Sequence, residues 1–118
     1  MSKNIVKEKS VLFAVRIVKL YKFLTDEKHE LVMSKQILRS GTSIGANIAE
    51  SNNAISKKDF LSKLYIALKE CSETLYWLDI LYQTEYLDET QYRSLQADCE
   101  ELYRLLQSIT KTIKTNLI

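Results

Sequence analysis

The sequence predicts an all-α protein folded as an antiparallel up-down-up-down four-helix bundle. Three observations carry that expectation: the 118 residues include no proline and two glycines, 46% of them are hydrophobic, and the apolar positions recur at alternating spacings of three and four. Turns, sheet edges and bulges are where proline normally sits, so its absence argues against a loop-rich or all-β chain. The apolar fraction excludes disorder, and no uncharged run is long enough to span a membrane. A single domain over residues 1–118 is the expected organisation, because a chain of this length supports one core.

The first helix is expected over about residues 7–24. Phe13, Ile17, Leu20, Tyr21 and Leu24 share a stripe, with Ala14 and Val18 beside it and Arg16, Lys19 and Lys22 on the other side. The polar stretch 25–29 has no apolar period and reads as a connection. A second helix is expected over about residues 30–53. It carries Gly41 and Gly45 among the small side chains Ser40, Thr42, Ser43, Ala46 and Ala49, on a face shared with Ile37, Ile44 and Ile48. Each glycine costs roughly 0.5–1 kcal/mol relative to alanine inside a helix. Close approach of a neighbouring helix to this flat surface is the simplest compensation. A phosphate-cradling loop is disfavoured, because no glycine-rich fingerprint with a following lysine is present.

The third helix, about residues 57–84, opens with Ser56 as its cap, and Asp59 is expected to return to the cap nitrogen. Leu61, Leu64, Leu68, Cys71, Leu75, Leu78 and Tyr82 then form an unbroken heptad seam. The fourth, about residues 88–115, is capped by Asp88 with Gln91, and Tyr92, Leu95, Cys99, Leu102, Leu106, Ile109 and Ile113 repeat the alternation. Two long seams joined by so short a connection must run antiparallel, and the first two helices supply the other half of the bundle. Helices of about 24 residues at 1.5 Å rise predict a rod of roughly 36 Å.

Charge is unevenly divided. Residues 1–58 hold eleven basic and five acidic side chains, whereas residues 59–118 hold six and ten. Such a split suits either a basic face for nucleic acid or complementary surfaces that meet each other. Cys71 and Cys99 both fall on heptad seams, as small core residues rather than reactive thiols. With no cleavable signal segment visible, the chain reads as cytoplasmic with reduced thiols. One histidine, His29, and two cysteines offer no metal-ligand spacing, and neither a metal nor a cofactor is expected.

The third helix has more apolar surface than a four-helix core can cover: fifteen of residues 60–82 are apolar or aromatic. Ile66 and Trp77 are expected nearly opposite the leucine seam, with Tyr65 and Tyr76 on one flank and Leu81 on the other. A helix apolar on most sides is normally buried on most sides, and Trp favours interface centres. These five residues are therefore the expected interface of a homo-oligomer, and the charge split suits a head-to-tail contact. A polar strip also interrupts the pattern. Ser43, Asn47 and Glu50 of the second helix and Glu70, Glu73 and Thr74 of the third read as a hydrogen-bonded layer that sets helix register. No nucleophile, histidine partner or oxyanion donor accompanies the carboxylates, so no catalytic residue is assigned.

The run Thr42-Ser43-Ile44-Gly45-Ala46-Asn47-Ile48-Ala49-Glu50, the segment from Ser56 to Phe60, and the stretches Leu64-Tyr65-Ile66-Ala67-Leu68-Lys69-Glu70 and Glu73-Thr74-Leu75-Tyr76-Trp77-Leu78 carry a resemblance. Across essentially its whole length the chain resembles the bacterial four-helix-bundle proteins encoded by intervening sequences of large-subunit ribosomal RNA genes. Ser51 is a departure, where many relatives place glycine. The resemblance implies an up-down bundle assembled as a homopentamer, with no known enzymatic activity and with Asn47 and Glu50 as structural signature positions. A related branch, the accessory protein of diversity-generating retroelements, contacts nucleic acid and a reverse transcriptase through a basic surface.

Two functional classes remain open. One is an oligomeric accessory protein that binds RNA or DNA phosphates through Lys9, Arg16, Lys19 and Lys22 of the first helix with Lys35 and Arg39 of the second; such binding is sequence-tolerant and falls steeply with salt. The other is a protein-interaction scaffold with no nucleic-acid role. An enzyme is not expected, since the Glu-x-x-His pairs of di-iron bundles are absent.

Overall fold

The computed structural model describes the backbone from Ser2 to Asn116 and the side chains of residues 5–115, so residues 1, 117 and 118 of the expected domain lie outside the described residues. Four helices follow in chain order: α1 (Ser2–Asp26), α2 (Met33–Ser51), α3 (Lys57–Gln83) and α4 (Glu89–Asn116). α2 packs between α1 and α3, and α4 closes the bundle by packing on α3 and α1; among the described residues the backbones of the diagonal helices do not approach each other. The four-helix all-α expectation holds. The long axis measures 49 Å, beyond the expected rod, because α1, α3 and α4 are each longer than the repeat implies.

The helix ends have local causes. α1 stops where His29 takes a left-handed conformation (φ 54°) and the Glu30 amide bonds back to the Leu24 carbonyl at 2.8 Å. α2 begins at Met33, later than the periodicity suggests, because Glu30 serves as its cap. The buried Glu30 carboxylate accepts from the amides of Val32, Met33 and Ser34 at 3.2, 3.0 and 2.7 Å, an anion placed on the positive end of the helix dipole. At the start of α3 the Ser56 hydroxyl accepts from Asp59 N at 3.0 Å, as expected. Asp59 returns to the Ile55 amide, one residue earlier than the cap nitrogen, at 3.2 Å. α4 opens with the full reciprocal box: Gln91 N donates to Asp88 and Asp88 N donates to Gln91, at 2.7 and 2.9 Å.

The core is filled by Phe13, Ile17 and Leu24 of α1, Ile37, Ile44 and Ile48 of α2, Leu78 and Leu81 of α3, and Leu102 and Leu106 of α4. α4 buries the predicted stripe through Leu106. α3 is rotated from its leucine seam: Ala67, Thr74 and Leu81 are fully buried while Leu68, Leu75 and Tyr82 are only partly so. On the α2 side this rotation sets Thr74 against Ser40, hydroxyl to hydroxyl at 2.9 Å. Tyr82, on the other flank, stacks on Tyr92 of α4 with ring centroids 4.4 Å apart.

Candidate functional site

The unequal charge distribution is partly spent inside the chain. Lys9 of α1 pairs with Glu101 of α4 at 3.3 Å, and Arg16 pairs with Asp98 at 2.7 Å while also donating to the Ser94 hydroxyl at 2.9 Å. α2 and α3 repeat the arrangement. Arg39 reaches Glu70 at 3.4 Å and also pairs with Glu73, and Lys63 pairs with Glu50 at 3.0 Å. The Arg39 guanidinium, followed by the Trp77 ring N–H at 3.1 Å, holds the Glu73 carboxyl below the usual carboxylate range; Glu73 in turn raises Arg39. Of the six basic residues expected to face a polyanion, Lys9, Arg16 and Arg39 are therefore neutralised by carboxylates. Lys19, Lys22 and Lys35 are exposed and make no ion pair among the described residues.

The residues expected as one polar layer divide into separate groups. Thr74 is fully buried, and its hydroxyl is hydrogen-bonded to that of Ser40 at 2.9 Å, the one link in the set that crosses the α2–α3 interface inside the core. Glu70 and Glu73 sit at the rim with Arg39. Ser43 and Asn47 turn instead to carbonyls of their own helix, at Arg39 and Ser43, and Glu50 faces Lys63. Ser40 and Arg39 complete these contacts; their positions three and four residues before Ser43 on α2 are the available sequence signal.

The expected interface residues also separate. Tyr65, Ile66 and Tyr76 are exposed, and Trp77 is half-buried, edge-on to Tyr76 with ring centroids 4.9 Å apart. Leu81 requires correction. It is fully buried in the core, because the rotation of α3 towards α2 carries it inward, and it has no outer surface to offer a second copy. The larger exposed apolar band lies on α1, where Leu12 is 66% exposed, Val11 53% and Val15 47%, with Ile5 and Val18 continuing it. Val11, Val15 and Val18 wall a shallow groove floored by Thr42, Gly45 and Ala46 of α2. The sequence held this signal in the run 10–18, which is apolar at positions well outside the Phe13–Leu20 stripe.

Cys71 and Cys99 are buried and free, and the Cys99 thiol lies 3.5 Å from the Cys71 carbonyl. Its hydrogen bond with Cys71 and its burial push the Cys99 thiol far up, away from thiolate chemistry. Among the described residues no group of His, Cys, Asp or Glu could hold a metal ion, and no helix is long and apolar enough to cross a membrane.

Known proteins agree with this architecture. No curated protein matches the chain. A crystal structure at 1.70 Å of a protein with unknown function from the S23 ribosomal protein family of Bacteroides thetaiotaomicron superposes with a TM-score of 0.93. It is 60% identical, and the match covers 94% of this chain and 99% of that one. These descriptions name no catalytic activity. Residues 2–108 match the family described as 23S rRNA-intervening sequence protein. On that match the chain belongs to the 23S rRNA-intervening sequence protein family.

Proposed function

We propose that this protein is a non-enzymatic accessory bundle that works as a homo-oligomer, a pentamer by family likeness, and presents positive charge to RNA or DNA in the cytoplasm. One observation carries the reading: the apolar band of α1, with Leu12 66% exposed, faces solvent in the single chain alongside a second apolar area at Ile66 and Tyr76 of α3. Contiguous exposed apolar surface of this kind marks a contact with another macromolecule. α1 and α3 are diagonal in the bundle, so each copy carries two separate apolar faces, as a head-to-tail contact requires. Lys19, Lys22 and Lys35 supply the unpaired charge on the α1 and α2 side.

Sedimentation equilibrium tests assembly. The wild-type chain is expected to sediment as a multiple of 13.7 kDa, and Leu12→Asp with Val15→Asp, or Ile66→Asp, to lower that mass with helical content retained. Unchanged mass in both variants contradicts the proposed faces. A monomeric wild type favours instead a scaffold whose apolar surface docks a different protein.

A further inference from the structure

Basic side chains at the helix–helix seams of this bundle meet a carboxylate from the neighbouring helix: Lys9 and Arg16 across α1–α4, Arg39 and Lys63 across α2–α3. The seam between α3 and the C-terminal half of α4 breaks that pattern. There Arg104, Lys111 and Lys114 line an open groove of about 690 Å³ together with Tyr65, Leu68 and Tyr103, and among the described residues no carboxylate lines it. None of the three cations makes an ion pair among the described residues. The helix dipole accounts for a cation in the last turn, and so for Lys114, but not for Arg104 in the middle of α4. Glu100, one turn before Arg104, ends the basic stretch. We propose that this groove is a track for single-stranded nucleic acid, with Arg104, Lys111 and Lys114 on phosphates and Tyr65 and Tyr103 offering ring faces to bases.

The dimensions suit that ligand. Arg104 and Lys111 lie two helical turns apart, roughly 10 Å along α4, a span that successive phosphates of an extended strand can bridge. Tyr65 is 43% exposed and lines the groove beside the cations. A positively charged groove with aromatic platforms is the general recipe for sequence-tolerant single-strand binding. A duplex does not enter a seam between helices packed about 8–10 Å apart, and an acidic peptide uses the cations but leaves the tyrosines without a role. The inference rests on the reading of nucleic acid as partner and not on self-assembly. It moves the contact from the α1–α2 side to the opposite α3–α4 seam.

The test is fluorescence anisotropy of the full chain with labelled oligo(U) and oligo(dT) of about 12 nucleotides, the two probes reporting sugar preference. Arg104→Gln with Lys111→Gln is expected to weaken binding about tenfold or more and to reduce the salt slope by about 1.4, two phosphates at about 0.7 each. Tyr65→Leu is expected to weaken it by about tenfold with the slope unchanged. Circular dichroism checks that each variant keeps its helices. If Lys19→Gln with Lys22→Gln and Lys35→Gln abolishes binding while the groove variants retain it, the groove is wrong and the nucleic-acid reading survives. If oligoglutamate of equal length binds as tightly and Tyr65→Leu has no effect, the site is for acidic peptides and the proposal is overturned. If wild type binds neither oligonucleotide, the groove and the nucleic-acid reading fall together.

Discussion

Ile17 of α1 lies where the side chain of any larger residue at position 41 would be: a methyl group added to Gly41 would sit 2.7 Å from Ile17 Cγ1. The helix-propensity cost of glycine is thereby exchanged for close α1–α2 packing. Gly41→Ala is expected to destabilise the fold by about 1–3 kcal/mol, although alanine is the better helix former, because fully buried Ile17 has no room to retreat. Gly45→Ala meets Ser10, its hydroxyl at 3.1 Å and its Cβ and carbonyl oxygen at 3.4 Å, and is expected to change stability by less than about 1 kcal/mol. Urea denaturation of the two variants makes the comparison.

The Ser40–Thr74 hydrogen bond is the buried polar tie between α2 and α3. Ser40→Ala and Thr74→Val are each expected to cost about 1 kcal/mol, and the double variant less than their sum by at least about 0.5 kcal/mol, because the second change removes a group already short of a partner. A double-mutant cycle measured by chemical denaturation checks this coupling.

Acid should weaken the α2–α3 rim. The pKa of Glu73 is depressed in the folded state by Arg39, so its stabilising contribution is present above the ordinary value of 4.5 and is lost as the pH falls through the folded value. Thermal midpoints are expected to drop between about pH 5 and pH 3, and Glu73→Gln is expected to make that drop shallower. An identical pH profile in the variant contradicts the Arg39–Glu73 role.

Glu85 ends α3 in the left-handed region, φ 70°, while the Tyr86 amide closes onto the Leu81 carbonyl at 2.9 Å. Glycine is the residue this position favours. Glu85→Gly is expected to stabilise by about 0.5–1 kcal/mol, the left-handed strain relieved less the extra entropy of glycine in the unfolded chain. Differential scanning calorimetry reads the shift.

Most of the fold was legible because helices announce themselves by period. The α4 stripe from Tyr92 to Leu106 and the Ser56 and Asp88 caps follow from spacing and side-chain chemistry alone. The rotation of α3 did not, because Thr74 and Leu81 lie two turns apart on a face beside the leucine seam, and only the packing of α2, with Ser40 bonded to Thr74, shows that this face turns inward. For the same reason the spacing alone puts Leu81 on an outer flank, whereas it is fully buried. The ion pairs Lys9–Glu101 and Arg16–Asp98 join residues far apart in sequence, so the opposite charges of the two halves could be seen while their mutual neutralisation could not. Glu30 was hidden because a glutamate within a helical pattern gives no local sign that it folds back to cap the next turn.

Solution mass is the measurement closest to the central claim, that the apolar faces of α1 and α3 are covered by further copies of this chain. Light scattering at high protein concentration is expected to give a discrete multiple of 13.7 kDa. A stable particle of 13.7 kDa under those conditions contradicts it.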